Sequence, residues 1–201
     1  MIYIQGTGSS ADSHPDTIGN ADATRHNFGQ RTPYFSEVWR KDPNMASAVD
    51  DKLEVIGRFV ETLIQTHLPD QFSKIKTFLH VLPLNHNCTT YPFSSWCINI
   101  QVATEAHLDD DDKLICVTIP FGDWKHGQLV FYEAGIVVDL VLGDVIVFPS
   151  GRLTHFNLDF EGTRCSLVLF TDKEGDEWVK SRNGWAHHMV TSNDASSSVL
   201  N

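Results

Sequence analysis

Residues 143–171 read GDVIVFPSGRLTHFNLDFEGTRCSLVLFT, three short apolar runs separated by residues that turn a chain. Val145, Ile146, Val147 and Phe148 are β-branched or aromatic, the side chains that suit a pleated, half-buried surface. Ser150-Gly151 and Glu161-Gly162 supply turns, and 154–160 and 164–171 resume the strand pattern. Working upstream, similar runs fill 96–103, 114–120, 128–132 and 136–142, with turn signals at 110–112, 121–127, 134–135 and 143–144. Strands joined by such short turns are antiparallel and hairpin-linked. The pattern predicts a mainly β fold with flanking helices, its core a double-stranded β-helix (jelly-roll).

The flanking helices lie before and after these strands. Val49, Leu53, Ile56, Val60, Leu63 and Ile64 recur at helical spacing and predict an amphipathic helix over 47–67. Pro69 ends it or starts the next, and Phe72, Ile75, Phe78 and Leu79 predict a second helix to about Val81. Both would cover one side of a sheet. We expect a loose leader over 1–31, a single domain over 32–190 and a polar tail over 191–201. Within the domain, helical support spans 46–81, the β-core 92–172 and a terminal helix 173–183.

Fifteen basic against 26 acidic residues give a formal charge of −11, which opposes broad attraction to a phosphate backbone. Much of that acidity sits at 109–112 and 172–177, so any nucleic-acid contact needs a local basic patch. The candidates are Lys113, Lys125, Lys173, Lys180 and Arg182, which as scattered surface charges need no special role. Cys88, Cys97, Cys116 and Cys165 form no CxxC pair, which removes zinc-ribbon and thioredoxin-like readings. No basic-then-apolar start and no apolar run near ~18 residues is present, so we expect an intracellular protein without a membrane partner.

His107-Leu108-Asp109 sets an imidazole and a carboxylate two residues apart, and an extended chain sends such residues to one face. His155 follows among the strands. Two histidines and a carboxylate on one side of a metal are the facial triad of non-haem Fe(II) oxygenases, which leaves positions open for a cosubstrate and O2. An HxD pair alone is a common chance match; its place at the head of a run of strands sharpens it. Nine residues after His155, Arg164 stands as a lone cation before the apolar Leu167-Val168-Leu169-Phe170 and calls for an anionic partner. An Arg fork pairs both oxygens of a carboxylate such as that of 2-oxoglutarate, and Ser166, two residues on, shares its face.

Together these segments resemble the Fe(II)/2-oxoglutarate-dependent dioxygenases, more narrowly the TET/JBP-type nucleobase oxygenases numerous in mushroom-forming fungi. The resemblance covers about 92–185 and rests on Ile98-Asn99-Ile100, 143–150, 154–157, 160–168 and Asn183-Gly184-Trp185. It implies iron at His107, Asp109 and His155, 2-oxoglutarate on Arg164, and conversion of 5-methylcytosine in DNA to 5-hydroxymethylcytosine. Relatives often carry Arg between the two ligands where this chain has Leu108, a residue expected to face away from the metal.

Other polar residues have two readings each. Asn99 and Gln101 either face the pocket and bond cosubstrate or base, or form a sheet-edge pair. Asn157 shares the face of His155 and either steers substrate or bonds locally at a strand end. Tyr132 and Trp124 either stack on a flipped base or join the core. Three functions remain open: a DNA nucleobase oxygenase, in the nucleus; a 2-oxoglutarate-dependent hydroxylase of a metabolite or protein side chain, in the cytoplasm; and an inactive jelly-roll paralogue.

Overall fold

The structure, a computed structural model of the chain, describes residues 2–5, 31–34, 41–82, 85 and 88–181. Helix α1 (Pro43–His67) opens where the Asp42 side chain accepts from the Met45 N–H at 3.0 Å, with Pro43 in the first turn where its missing N–H costs nothing. That cap starts the helix a turn before the apolar periodicity does. Leu53, Val60 and Ile64 form its buried stripe, together with Gly57. A Cβ on Gly57 would come within 2.7 Å of the Thr89 carbonyl oxygen, so glycine lets the helix lie close to the chain leading into the sheet. Pro69 begins helix α2 (Pro69–Val81), which buries Phe72, Ile75, Phe78 and Leu79.

The β-strands follow as β1 (Ile2–Gln5), β2 (Arg31–Tyr34), β3 (Ser95–Ile100), β4 (Cys116–His126) and β5 (Leu129–Phe131). They continue as β6 (Ile136–Val138), β7 (Ile146–Phe148), β8 (His155–Asn157) and β9 (Phe160–Phe170), and helix α3 (Glu174–Ser181) comes last. β1 and β2 pair with each other near the two ends of the expected leader. The rest of that leader, the tail at 191–201 and Asn183-Gly184-Trp185 lie outside the described residues.

Two antiparallel sheets form the body, one ordered β3-β9-β4-β7 and the other β6-β5-β8. A bridge between His107 and His155 extends the smaller sheet by one position beyond β8. Alternation along β9 sorts the layers: Leu167 and Leu169 pack with Val60, Ile64, Ile75, Phe93 and Val117 under the helices. Arg164, Ser166, Val168 and Phe170 point the other way, into a cavity between the sheets. The second core, Cys116, Leu129, Phe131, Leu140 and Phe148, fills the closed end of that space. Each fully buried aliphatic side chain here is worth about 1.5–3 kcal/mol relative to exposure.

Two expected turns prove to be strand. β4 runs through 121–126 and β9 begins at Phe160, and they pair continuously from Val117↔Leu169 to His126↔Phe160. Gly122 (φ 124°) and Gly162 (φ 96°), which suggested turns, lie inside this ladder. Each faces the partner backbone, where a Cβ would fall on the carbonyl oxygen of Thr163 or Asp123. They permit close approach and twist. The true link from β8 to β9 is Leu158-Asp159, pinned by Leu158 N–H to Gln128 O (2.9 Å) and Gly127 N–H to Asp159 O (3.0 Å).

Candidate metal centre

His107 and His155 stand opposite each other on neighbouring strand positions. The His107 N–H donates to His155 O at 3.2 Å and the His155 N–H to His107 O at 3.0 Å. This reciprocal pair brings the imidazole centroids to 4.4 Å. His107 Nδ1 lies 2.7 Å from the Glu105 carbonyl oxygen, and His155 Nδ1 lies 3.0 Å from that of Leu153. A carbonyl only accepts, so each Nδ1 serves as the donor there and each Nε2 is the nitrogen left to hold a metal. Both Nε2 atoms lie beside Asp109: His107 Nε2 is 3.4 Å from Oδ1 and His155 Nε2 is 3.5 Å from Oδ2. One ligand atom from each of the three residues lies within 4.8 Å of the others.

Two imidazole nitrogens and a carboxylate oxygen suit a divalent first-row metal and leave the far side of its shell open. Phe148 braces His155 with an edge-on ring contact at 4.9 Å, and the Asp109 N–H donates to Ser150 O at 3.1 Å. Next to the triad, Ser150 Oγ donates to Asp112 Oδ2 at 2.5 Å. Burial pushes the Asp112 carboxyl up to about 6, against the lowering effect of the Ser150 bond and with the help of the Asp109 charge.

The triad opens into a cavity of about 560 Å3 whose wall also holds Arg164, Asn99, Asn157 and Ser166. Arg164 is 5% exposed, and burial lowers its pKa. Its Nη2 donates to Asn157 Oδ1 at 3.0 Å, while its Nε is buried without a partner. Gly127 covers the stem: a Cβ there would meet Arg164 Cδ at 3.4 Å. Among the described residues no carboxylate forms an ion pair with this guanidinium. A buried cation holding one amide bond suits an anionic ligand entering the same cavity as the triad.

Other expected positions differ. Tyr132 is 72% exposed in the turn after β5, so it does not join the core, and it lies outside the cavity wall. Trp124 borders a separate open cleft with Lys125, His126 and Asp139. Gln101 bonds the backbone of β9 rather than facing the cavity. Leu108, between the two ligands, is 40% exposed and borders the cavity. Lys113 pairs with Asp176 and lies over the Phe78 ring, and Lys173 donates to the Asp110 carbonyl; both anchor α3 to the loop after the triad. Arg182 lies outside the described residues. Sequence reasoning missed the Asp112–Ser150 pair and Gly127, whose partners are far away in the chain.

No family model matches the chain, and no curated protein matches it in sequence. Among solved structures it is similar to NgTET1 in complex with 5mC DNA, with a TM-score of 0.61 and 17% identity over 75% of this chain. The chain shares the fold of that protein. It spans 58% of the length of that protein. Among the described residues no helix is long and apolar enough to cross a membrane.

Proposed function

We propose that this chain is an Fe(II)- and 2-oxoglutarate-dependent dioxygenase that hydroxylates the methyl group of 5-methylcytosine, or a related 5-methylpyrimidine, in DNA. The observation that carries the reading is Arg164, buried in the wall of the cavity into which the triad opens and without a carboxylate partner among the described residues. The narrower kinship to fungal TET/JBP-type enzymes belongs to this proposal, as does a nuclear location. So does a double-stranded β-helix core, which the strand pairing supports. β3 pairs with β9, the His107 segment with β8, β4 with β7 and β5 with β6. Nested pairs of this kind are a long hairpin with β5–β6 at its tip, rolled so that its strands divide between two sheets.

When bound, Fe(II) supplies the O2 chemistry, with 2-oxoglutarate as the co-reductant that leaves as succinate and CO2. The chain's own part is to hold and to exclude. His107, Asp109 and His155 occupy one side of the metal. Arg164 pairs with the cosubstrate carboxylate, Ser166 and Asn99 offer further bonds, and Leu129, Leu140 and Phe148 keep the closed end dry. A space of about 560 Å3 is within the range of small-ligand sites. The DNA substrate is supported by the likeness to NgTET1, solved with 5mC DNA. Reaching a base in this cavity requires flipping it from the duplex, at a cost of a few kcal/mol.

A second reading keeps the enzyme class and changes the substrate to a metabolite or protein side chain. Asp110 and Asp111 border the cavity, which favours a neutral or cationic substrate over a polyanion. Incubation with Fe(II), ascorbate, 2-oxoglutarate and methylated duplex, followed by nucleoside mass spectrometry, separates the two. Hydroxymethylcytosine is expected. Succinate release with another substrate and no oxidised base would establish the second reading.

A further inference from the structure

We infer that Gln101 is a positioning residue: its side-chain amide takes the place of a missing peptide group in the sheet and fixes the strand segment that carries Arg164. The inference rests on the reading of Arg164 as the cosubstrate anchor.

β3 ends at Ile100, which faces Cys165 on β9. One residue further, Gln101 would face Arg164, and its N–H still donates to Arg164 O at 2.9 Å. There the backbone turns away, with Gln101 at φ 55°. In an antiparallel ladder the N–H and C=O of one residue point to the same side, as do those two residues away. The departure of β3 therefore exposes two groups on the same edge of β9, Arg164 N–H and Gly162 C=O. The Gln101 side chain meets both. Its Oε1 accepts from the Arg164 N–H at 2.6 Å, and its Nε2 donates to Gly162 O at 3.0 Å. A primary amide carries the same donor and acceptor as a peptide group, so it continues the ladder where the main chain has gone.

The position of this substitute gives it a functional consequence. Gly162 (φ 96°) is the most permissive residue of β9, and only Thr163 separates it from Arg164. Without the amide, the segment 162–164 would keep only the Gln101 N–H bond to Arg164 O on this edge and its pairing with β4 on the other, through Trp124↔Gly162, Asp123↔Thr163 and Gly122↔Arg164. Gly122 at the last of these has a φ of 124°. From the other sheet, Asn157 holds the guanidinium. Gln101 thus fixes the root of the Arg164 side chain and Asn157 fixes its head, and a bidentate pair tolerates little error in either.

The test uses Gln101→Gly, which removes the amide while accepting the positive φ, and Gln101→Asn, which also tolerates it but is one methylene too short to reach both groups. Both variants should raise the 2-oxoglutarate dissociation constant of the Mn(II)-loaded protein roughly tenfold, with Mn(II) affinity within about twofold of the parent. In hydrogen exchange, the Arg164 amide should lose protection while amides at 167–169 keep theirs. Unchanged 2-oxoglutarate binding, or a parallel loss of metal affinity and of protection throughout β9, would overturn the inference. Arg164→Lys is measured alongside. If it leaves 2-oxoglutarate binding intact, the reading of the anchor itself fails, and exchange at the Arg164 amide still decides whether Gln101 holds the strand.

Discussion

At the scale of the residue, the Asp112 carboxyl sets a pH dependence. Its folded-state pKa of about 6 stands above the ordinary 3.8, so between those values the folded chain keeps a proton that the unfolded chain releases. The contribution of this group to stability therefore falls as pH rises through that window. Urea melts of the metal-free protein at pH 4 and pH 6 should show it, and Asp112→Asn should flatten the difference; an unchanged slope would assign the dependence elsewhere. Burial likewise pushes the Cys116 thiol up to about 12, so iodoacetamide at neutral pH should leave Cys116 unmodified in the folded protein. For Arg164→Lys the expected outcome is a 2-oxoglutarate KM raised at least tenfold with metal affinity retained, because a point charge replaces a planar fork. The grouping of His107, Asp109 and His155 with Arg164 around one cavity was legible because few side chains suit metals and carboxylates, and strand alternation says which of them share a face. The Ser150–Asp112 bond was not, since it joins residues 38 apart that carry no distinguishing chemistry. Nor was the outward position of Tyr132, an aromatic at a turn, where no periodicity assigns a side.

Among the elements, the helices were readable nearly to the residue. Apolar spacing and Pro69 mark where α1 gives way to α2, and only the Asp42 cap added a turn. The long strands β4 and β9 were not readable at their paired ends, because a glycine inside a twisted ladder looks the same in sequence as a glycine in a turn. The difference lies in what the missing Cβ would meet. Gly122→Ala and Gly162→Ala should each cost roughly 3 kcal/mol or more, combining a disfavoured φ with collision against the partner backbone. Gly135→Ala has a positive φ but open space around it, and should cost about 1–2 kcal/mol. Denaturant midpoints of the three variants check the ranking. Equal losses would mean that backbone conformation alone, and not close approach, keeps glycine in the ladder.

In the whole molecule, the larger sheet lies between a helical layer and a cavity, so it is apolar on one face and mixed on the other. Leu169, fully buried between β9 and the helices, should cost about 2–5 kcal/mol on replacement by Ala while leaving the metal ligands in place. Global stability and metal affinity should thus separate; a large affinity loss in Leu169→Ala would show that the helical layer reaches the triad. The paired backbones of His107 and His155 have a further consequence. Asp109 and His155 are 46 positions apart, and the chain between them contains the whole tip of the ribbon, β4 through β7. An ion bridging them would therefore act as a cross-link on a long loop. By the chain-entropy relation used for disulfides, closing a loop of that length disfavours the unfolded ensemble by up to about 4 kcal/mol. A metal ion held there would then be a removable staple, and a chelator would loosen this protein from the inside out.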